Sequence, residues 1–464
     1  MSKSLSNHQC FTYALPVVTT AWLVTPIGVV QGIYAKYYGL PLTTIATVLF
    51  LVRFFDAVTD PLIGYYADRY YKSNGTYKPF ILVGGLLFII SSYFLYVPPK
   101  QVGAFYLTIW FALFYLAWTL FEMPHLTWAS KLAQSSEAKA KIYSFRNIAN
   151  YSGWLLFYSV PLLPVFESRA ITPDTLHVSV LAAGLLMVPL LLISLKTKHR
   201  MEYKQAGNYK NHPKDTGHNL HRNKKPIIKF LQSLLANRPL IIFLAAYTLI
   251  YIGMGMWYSL IFLYVDVYLG LGEQYAEMFL LAFVIGIAAT PLWYRLMVWL
   301  GKKTTWILST LLLIISFIFT IWLSAEVTTF TKLVALKAIQ TMGFTCLNVV
   351  GPAMLSEIID YSNWKQKSDK NAIYFAIYTF IIKAVFAIST AIGLGLVGWF
   401  GFDAAANGQT LQAIFGMTLA IGWVPTSLAI IALVFITLLP INERRHKVIR
   451  DRLNAISARR TSEL

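Results

Sequence analysis

The chain has 464 residues, 57% of them hydrophobic and only 13% charged, and its formal net charge is +19. An apolar excess on that scale excludes a soluble domain and calls for an all-α integral membrane protein: lipid cannot satisfy free backbone groups, and the short alternating segments of a barrel are absent. In a soluble chain the positive charge would suggest nucleic acid. Here the basic residues fall in alternate loops, which the positive-inside rule explains, and no nucleic-acid partner is expected.

Met1 to Gln9 is short and polar and lacks signal-peptide architecture, so the first apolar run is expected to stay as a helix. Twelve spans are predicted, over 11–35, 41–66, 79–98, 104–129, 142–165, 177–195, 238–266, 274–298, 304–324, 330–355, 372–399 and 410–439. Pro16, Pro26 and Gly28 predict a bend in the first. Basic loops follow span two (Arg69, Lys72, Lys78), span four (Lys131, Lys139, Lys141), span eight (Lys302, Lys303) and span ten (Lys365, Lys367, Lys370). The opposite loops hold little beyond Lys36, Lys100 and Arg169, which places both termini in the cytoplasm and the chain in the inner membrane.

Residues 196–237 read as a basic cytoplasmic linker able to touch anionic lipid. It separates an N-terminal six-helix half, 1–195, from a C-terminal half, 238–440, and a basic cytoplasmic tail closes the chain over 441–464. Asp60-Pro61-Leu62 in span two and Thr290-Pro291-Leu292 in span eight occupy matching places in the two halves. Two parallel six-helix halves around a central cavity are the major-facilitator architecture. Thr290 stands where Asp60 would be, so a cation site, if present, belongs to the first half.

Asp56 and Asp60 lie inside span two, one helical turn apart on one face, and a carboxylate at membrane depth is a functional hypothesis by default. Their oxygens suit Na⁺ or a proton. At about 1.5 Å per residue, Asp60 sits about 9 Å, and Glu122 of span four about 7.5 Å, to the cytoplasmic side of the midplane. Lys383 in span eleven lies near its own midplane and is placed to neutralise the acids when the cation leaves. Arg53 reads as a counter-charge to Asp56. Arg146 reads either as a headgroup snorkel or as a site residue. Thr119, one turn before Glu122, offers a neutral oxygen, and Thr379 shares a face with Lys383; each equally suits a bond to its own backbone. Trp22, Trp128, Tyr251 and Trp257 are candidates to stack on a sugar ring. The eight histidines and two cysteines form no metal or disulfide pattern. No nucleophile elbow, P-loop or HExxH motif is present, so neither an enzyme nor a cofactor is expected.

Arg53-Phe-Phe-Asp56-Ala-Val-Thr59-Asp60-Pro61-Leu-Ile-Gly64, with Asp68-Arg69 and Lys78-Pro79, resembles the signature of the glycoside-pentoside-hexuronide:cation symporters. Asn237-Arg238-Pro239, Gly301-Lys302-Lys303, Glu357-Ile-Ile-Asp360-Tyr361 in a loop after span ten, and Tyr378-Thr379-Phe380 with Lys383 extend the resemblance over nearly the whole chain. It implies a cation site of Asp56, Thr59, Asp60 and Thr119. It also implies sugar or coupling roles for Glu122, Arg146, Thr379 and Lys383. The chain departs from the pattern in carrying Val17 where span one often has an acid, Glu122 for an Asp, and Leu126 where a stacking Trp is expected. A lost carboxylate cannot hold the same hydroxyls, so the substrate expected is a saccharide other than the familiar galactosides, such as a uronide or an oligosaccharide. The expectation is a monomeric symporter of a sugar or glycoside with Na⁺ or H⁺. The alternatives are a cation-coupled lysophospholipid or other non-sugar symporter, and a non-transporting membrane sensor.

Overall fold

A computed structural model describes residues 6–132, 136–196, 237–366, 371–406 and 408–440. Lys367, Lys370, almost all of the basic linker and the basic tail lie outside the described residues, as do the side chains of Lys131, Lys139 and Lys365. The first half comprises α1 (Asn7–Val24), α2 (Ile27–Tyr38), α3 (Leu42–Asn74), α4 (Lys78–Tyr96), α5 (Ala104–Leu132), α6 (Ser136–Ser159) and α7 (Pro173–Lys196). The second comprises α8 (Arg238–Leu263), α9 (Tyr275–Leu300), α10 (Lys302–Trp322), α11 (Phe330–Gln366), α12 (Asn371–Trp399), α13 (Leu411–Thr418) and α14 (Val424–Leu438). Among the described residues, eleven helices are long and apolar enough to cross a membrane. The twelfth crossing is α6, whose 24 residues suffice in length but whose first half carries Glu137, Lys139, Lys141 and Arg146.

The first span breaks where the prolines predict. Pro26 has no N–H to give the preceding turn, and α1 and α2 meet there at a kink. Spans two and ten overrun their predicted ends. α3 continues to Asn74 and is stopped by Gly75 in the left-handed conformation (φ 73°), so Arg69 and Lys72 ride its last turns and not a loop. α11 likewise continues to Gln366, and Glu357 and Asp360, expected in a loop, are helical.

The elements pack as two bundles. α1 packs on α6 and α7, and α4 on α5 and α7. In the second half α8 packs on α12 and α14, and α11 on α9 and α10. α3 against α12, α6 against α9 and α2 against α8 join the halves. Large apolar side chains such as Phe54, Val58 and Tyr65 are left on the outer faces, as a lipid-facing surface requires. One end of the molecule carries the turns at Gly75 and Gly301, and we call it the basic end; the other carries Gly39, Gly270 and Gly401.

At that far end the halves are closed on one another. Lys36 pairs with Asp266 at 2.6 Å and Arg169 with Glu277 at 2.6 Å, and Ser168 donates to Glu273 at 3.0 Å. Tyr158 of α6 stacks on Phe279 of α9 with centroids 4.7 Å apart, and Trp154 stacks on Phe283. α3 and α12 come into close contact where Thr43 meets Gly398.

Candidate functional site

Between the halves lies a cavity of about 530 Å³, closed at the far end by that seal. Its first-half wall carries Arg53, Asp56, Asp60, Tyr115, Thr119 and Glu122; its second-half wall is mostly apolar, with Tyr258, Phe380 and Phe386 around Lys383. Lys383 and Phe380 stand toward the basic end of α12. Their side chains stay largely exposed, 58% for Lys383, so the cavity is open on that side.

α3 brings its two carboxylates into this space by helical periodicity. Thr119 of α5 donates its hydroxyl to Asp60 Oδ1 at 2.7 Å. Lys383 Nζ reaches across the halves to within 3.9 Å of Asp60 Oδ2. Arg53 lies 3.6 Å from Asp56 Oδ2, and its guanidinium covers the Tyr115 ring at 3.9 Å. Asp56 Oδ1 is buried without a hydrogen-bond partner. An orphaned carboxylate oxygen at membrane depth is costly unless something cationic or protic meets it.

Pro61 adds a further oxygen. Lacking an N–H, it leaves the Ala57 carbonyl without its helical partner, and Ala57 and Pro61 both line the cavity. Two carboxylates, a hydroxyl and a freed carbonyl are hard oxygen ligands of the kind a small cation takes. Among the described residues no cluster of three or more His, Cys, Asp or Glu side chains forms a metal site.

A second constellation stands beside the first. Arg146 of α6 does not snorkel outward. It is 8% exposed and turns inward, donating one nitrogen to Glu122 Oε1 and another to His125 Nδ1 at 2.8 Å. His125 Nε2 meets the Tyr13 carbonyl at 3.1 Å, which assigns its proton to Nε2 and leaves Nδ1 as the acceptor for Arg146. The Tyr13 hydroxyl returns a bond to the His125 carbonyl at 2.8 Å. Glu122 is thus held at the cavity wall by a chain of contacts through α1, α5 and α6.

Other expected residues fall elsewhere. Thr59 gives its hydroxyl to the Asp56 carbonyl of its own helix at 3.2 Å and does not line the cavity. Thr379 is exposed and lies outside the cavity lining. Trp22, Trp128, Tyr251 and Trp257 are core residues, with Trp22 bonded to Ser179 and Trp257 to Thr320. The aromatic side chains that do line the cavity are Tyr115, Trp118, Tyr258, Phe380 and Phe386. Sequence reasoning missed these, along with His125. The signal for His125 was a histidine inside a predicted span, one turn after Glu122's neighbourhood begins.

The chain matches the family described as MFS/sugar transport protein over residues 8–443. It belongs to that family. Its resemblance to the glycoside-pentoside-hexuronide:cation symporters is therefore borne out, and this family member is a multi-pass membrane transporter, not an enzyme. It is 22% identical over 421 residues to the symporter YnaJ of Bacillus subtilis (strain 168), covering 89% of this chain and 87% of that one. It is 23% identical over 426 residues to the glucuronide carrier protein homolog of Escherichia coli (strain K12), covering 90% and 88%. The inward structure of the xylose transporter XylE from E. coli, described as partially occluded, superposes with a TM-score of 0.58 at 13% identity, covering 94% of this chain and 98% of that one, which shows the shared major-facilitator fold.

Proposed function

We propose that the protein moves a sugar or glycoside into the cell together with Na⁺ or H⁺ by alternating access. The observation that carries this is the buried, unpartnered Asp56 Oδ1 beside Asp60, Thr119 and the freed Ala57 carbonyl, in a cavity that both halves enclose. The family and the printed names of its relatives support a saccharide as the cargo. The basic end is cytoplasmic on the positive-inside rule, so the state described is inward-facing, and a monomer encloses the whole cavity.

Cation and Lys383 compete for Asp60. The ammonium stands 3.9 Å from the Asp60 carboxylate and keeps a charge from facing the membrane interior alone. A bound cation releases Lys383 and favours the state that accepts substrate from outside, so coupling is a difference in affinity between two states. Glu122, fixed by Arg146, supplies hydroxyl-binding oxygens on the cavity wall.

Counterflow of radiolabelled saccharides in proteoliposomes, with and without Na⁺ and across pH, tests this against Asp60→Asn. Exchange that requires Na⁺ or low pH and is altered by the substitution is the expected result. Exchange indifferent to Asp60→Asn would remove the mechanism. Absence of exchange for every saccharide, with tail-length-dependent uptake of a lysophospholipid, would move the cargo to that class.

A further inference from the structure

Lys337 stands two turns into α11, within a membrane span, and is 2% exposed. Arg53, Arg146 and Lys383 each face an aspartate or glutamate. Lys337 faces none: among the described residues no carboxylate lies within 4 Å of it. Its ammonium is met instead by three ring faces, Phe279 at 4.3 Å, Tyr258 at 4.6 Å and Trp257 at 4.8 Å, and by the Gln340 Oε1, to which it donates at 2.8 Å. Ring faces are weak substitutes for an anion, and an intramembrane cation without one is a functional signal. Gln340 is itself fully buried, and its amide nitrogen stands between the Met254 thioether, 4.0 Å away, and the Tyr258 hydroxyl.

The position of this cage matters. Tyr258 is shared with the cavity wall. Phe279 carries Lys337 on one face, so Tyr158 of the other half, stacked at 4.7 Å, must cover the opposite one. One ring therefore separates the ammonium from the cavity and one from the sealed outer passage. When α6 and α9 part at the far end, Phe279 loses its cover and the cage borders the route by which cargo enters.

We propose that Lys337, with the Gln340 amide, is the anion-recognition site of the outward-facing state and receives the carboxylate or sulfonate of an acidic sugar. This rests on the sugar-symport reading above. The ring faces then meet the apolar C–H face of the pyranose, and a carboxylate replaces them as the partner of the charge.

The test is initial-rate uptake in proteoliposomes of matched methyl glycosides that differ only at C6, carboxylate against hydroxymethyl, in the gluco and galacto series. The wild type is expected to prefer the acid. Lys337→Met should raise KM for the acid about tenfold or more, leave KM for the neutral partner in place, and be largely rescued by Lys337→Arg. Gln340→Leu, which keeps the volume and the lysine, should move KM in the same direction and guards against a misfolded methionine variant. Cation-dependent uptake in the wild type with no preference for the acid would overturn the assignment and leave symport standing. Equal shifts for both sugars, with faster thiol labelling of Val24→Cys from outside in the absence of sugar, would overturn it in favour of a role in the seal. Failure of folded wild type to take up either member, in either series, would overturn the proposal together with the sugar reading beneath it.

Discussion

Arg146 is held by two acceptors of different kinds, a carboxylate on one nitrogen and a neutral imidazole on another. Only a planar fork reaches both, so lysine is not a conservative replacement. Arg146→Gln leaves the Glu122 carboxylate without its counter-charge. Removing one partner of a buried pair costs roughly 3–5 kcal/mol, and the lower end applies because Glu122 is still 28% exposed to the cavity. Glu122→Gln on top of Arg146→Gln removes the stranded charge and should return at least half of that loss. Thermal melting of the purified single and double variants measures it; a double variant no more stable than Arg146→Gln would mean that the pair is not energetically coupled. Of this constellation, Glu122 and Arg146 were legible in the chain because charges stand out in an apolar run. His125 and Lys337 were not. A neutral imidazole, and a lysine held by three ring faces and one amide oxygen in place of a carboxylate, owe their meaning to neighbours that spacing along one helix does not record.

The span count and the kink at Pro26 could be read because each follows from a local cause: a run of apolar residues and a missing N–H. Helix ends could not, because α3 and α11 stay helical well past the apolar window, α3 until Gly75 stops it and α11 as far as Gln366. The close crossings were equally hidden, since two glycines with the same local chemistry serve different junctions. A Cβ on Gly84 would stand 2.7 Å from the Leu120 carbonyl carbon, backbone against backbone within the first half. A Cβ on Gly398 would stand 3.0 Å from the Thr43 nitrogen, between the halves. Gly84→Val should therefore destabilise the fold by about 1–3 kcal/mol, the range for overpacking, and reduce the monodisperse yield. Gly398→Val should leave the fold intact but wedge α3 from α12 at the far end and slow transport. A reporter cysteine at Val24, which lines the cavity behind the seal and takes no part in its stacks, reads the second effect from outside, because Cys10 and Cys346 are both buried. Several-fold faster labelling in Gly398→Val but not in Gly84→Val is expected; the reverse would place the two crossings in the wrong roles.

For the molecule as a whole, the far-end seal sets how readily the halves exchange between facing outward and inward, and its polar links are unequal. The Arg169 side chain is 67% exposed, and a pair so open to water is worth about 0–1 kcal/mol. Asp266 is different. It lies in a π-helical turn after α8, only 6% exposed, with Lys36 of α2 across the boundary as its counter-charge. Opening that end separates the two charges but also hydrates both, so the pair acts as a latch whose strength is the balance of the two terms. Lys36→Ala strands a shielded carboxylate in the sealed state only, which tilts the equilibrium toward the open one. The expected outcome is several-fold faster labelling of the Val24 reporter from outside and a longer distance between spin labels placed on α2 and α8. Arg169→Ala should change neither measurably. Exchanging the partners, Lys36→Asp with Asp266→Lys, should restore both readings toward wild type, because a latch made of charge does not depend on which half carries which sign. Restoration by the exchange separates a latch from a local packing defect; an exchanged pair that labels as fast as Lys36→Ala would show that the seal is held by its aromatic stack alone.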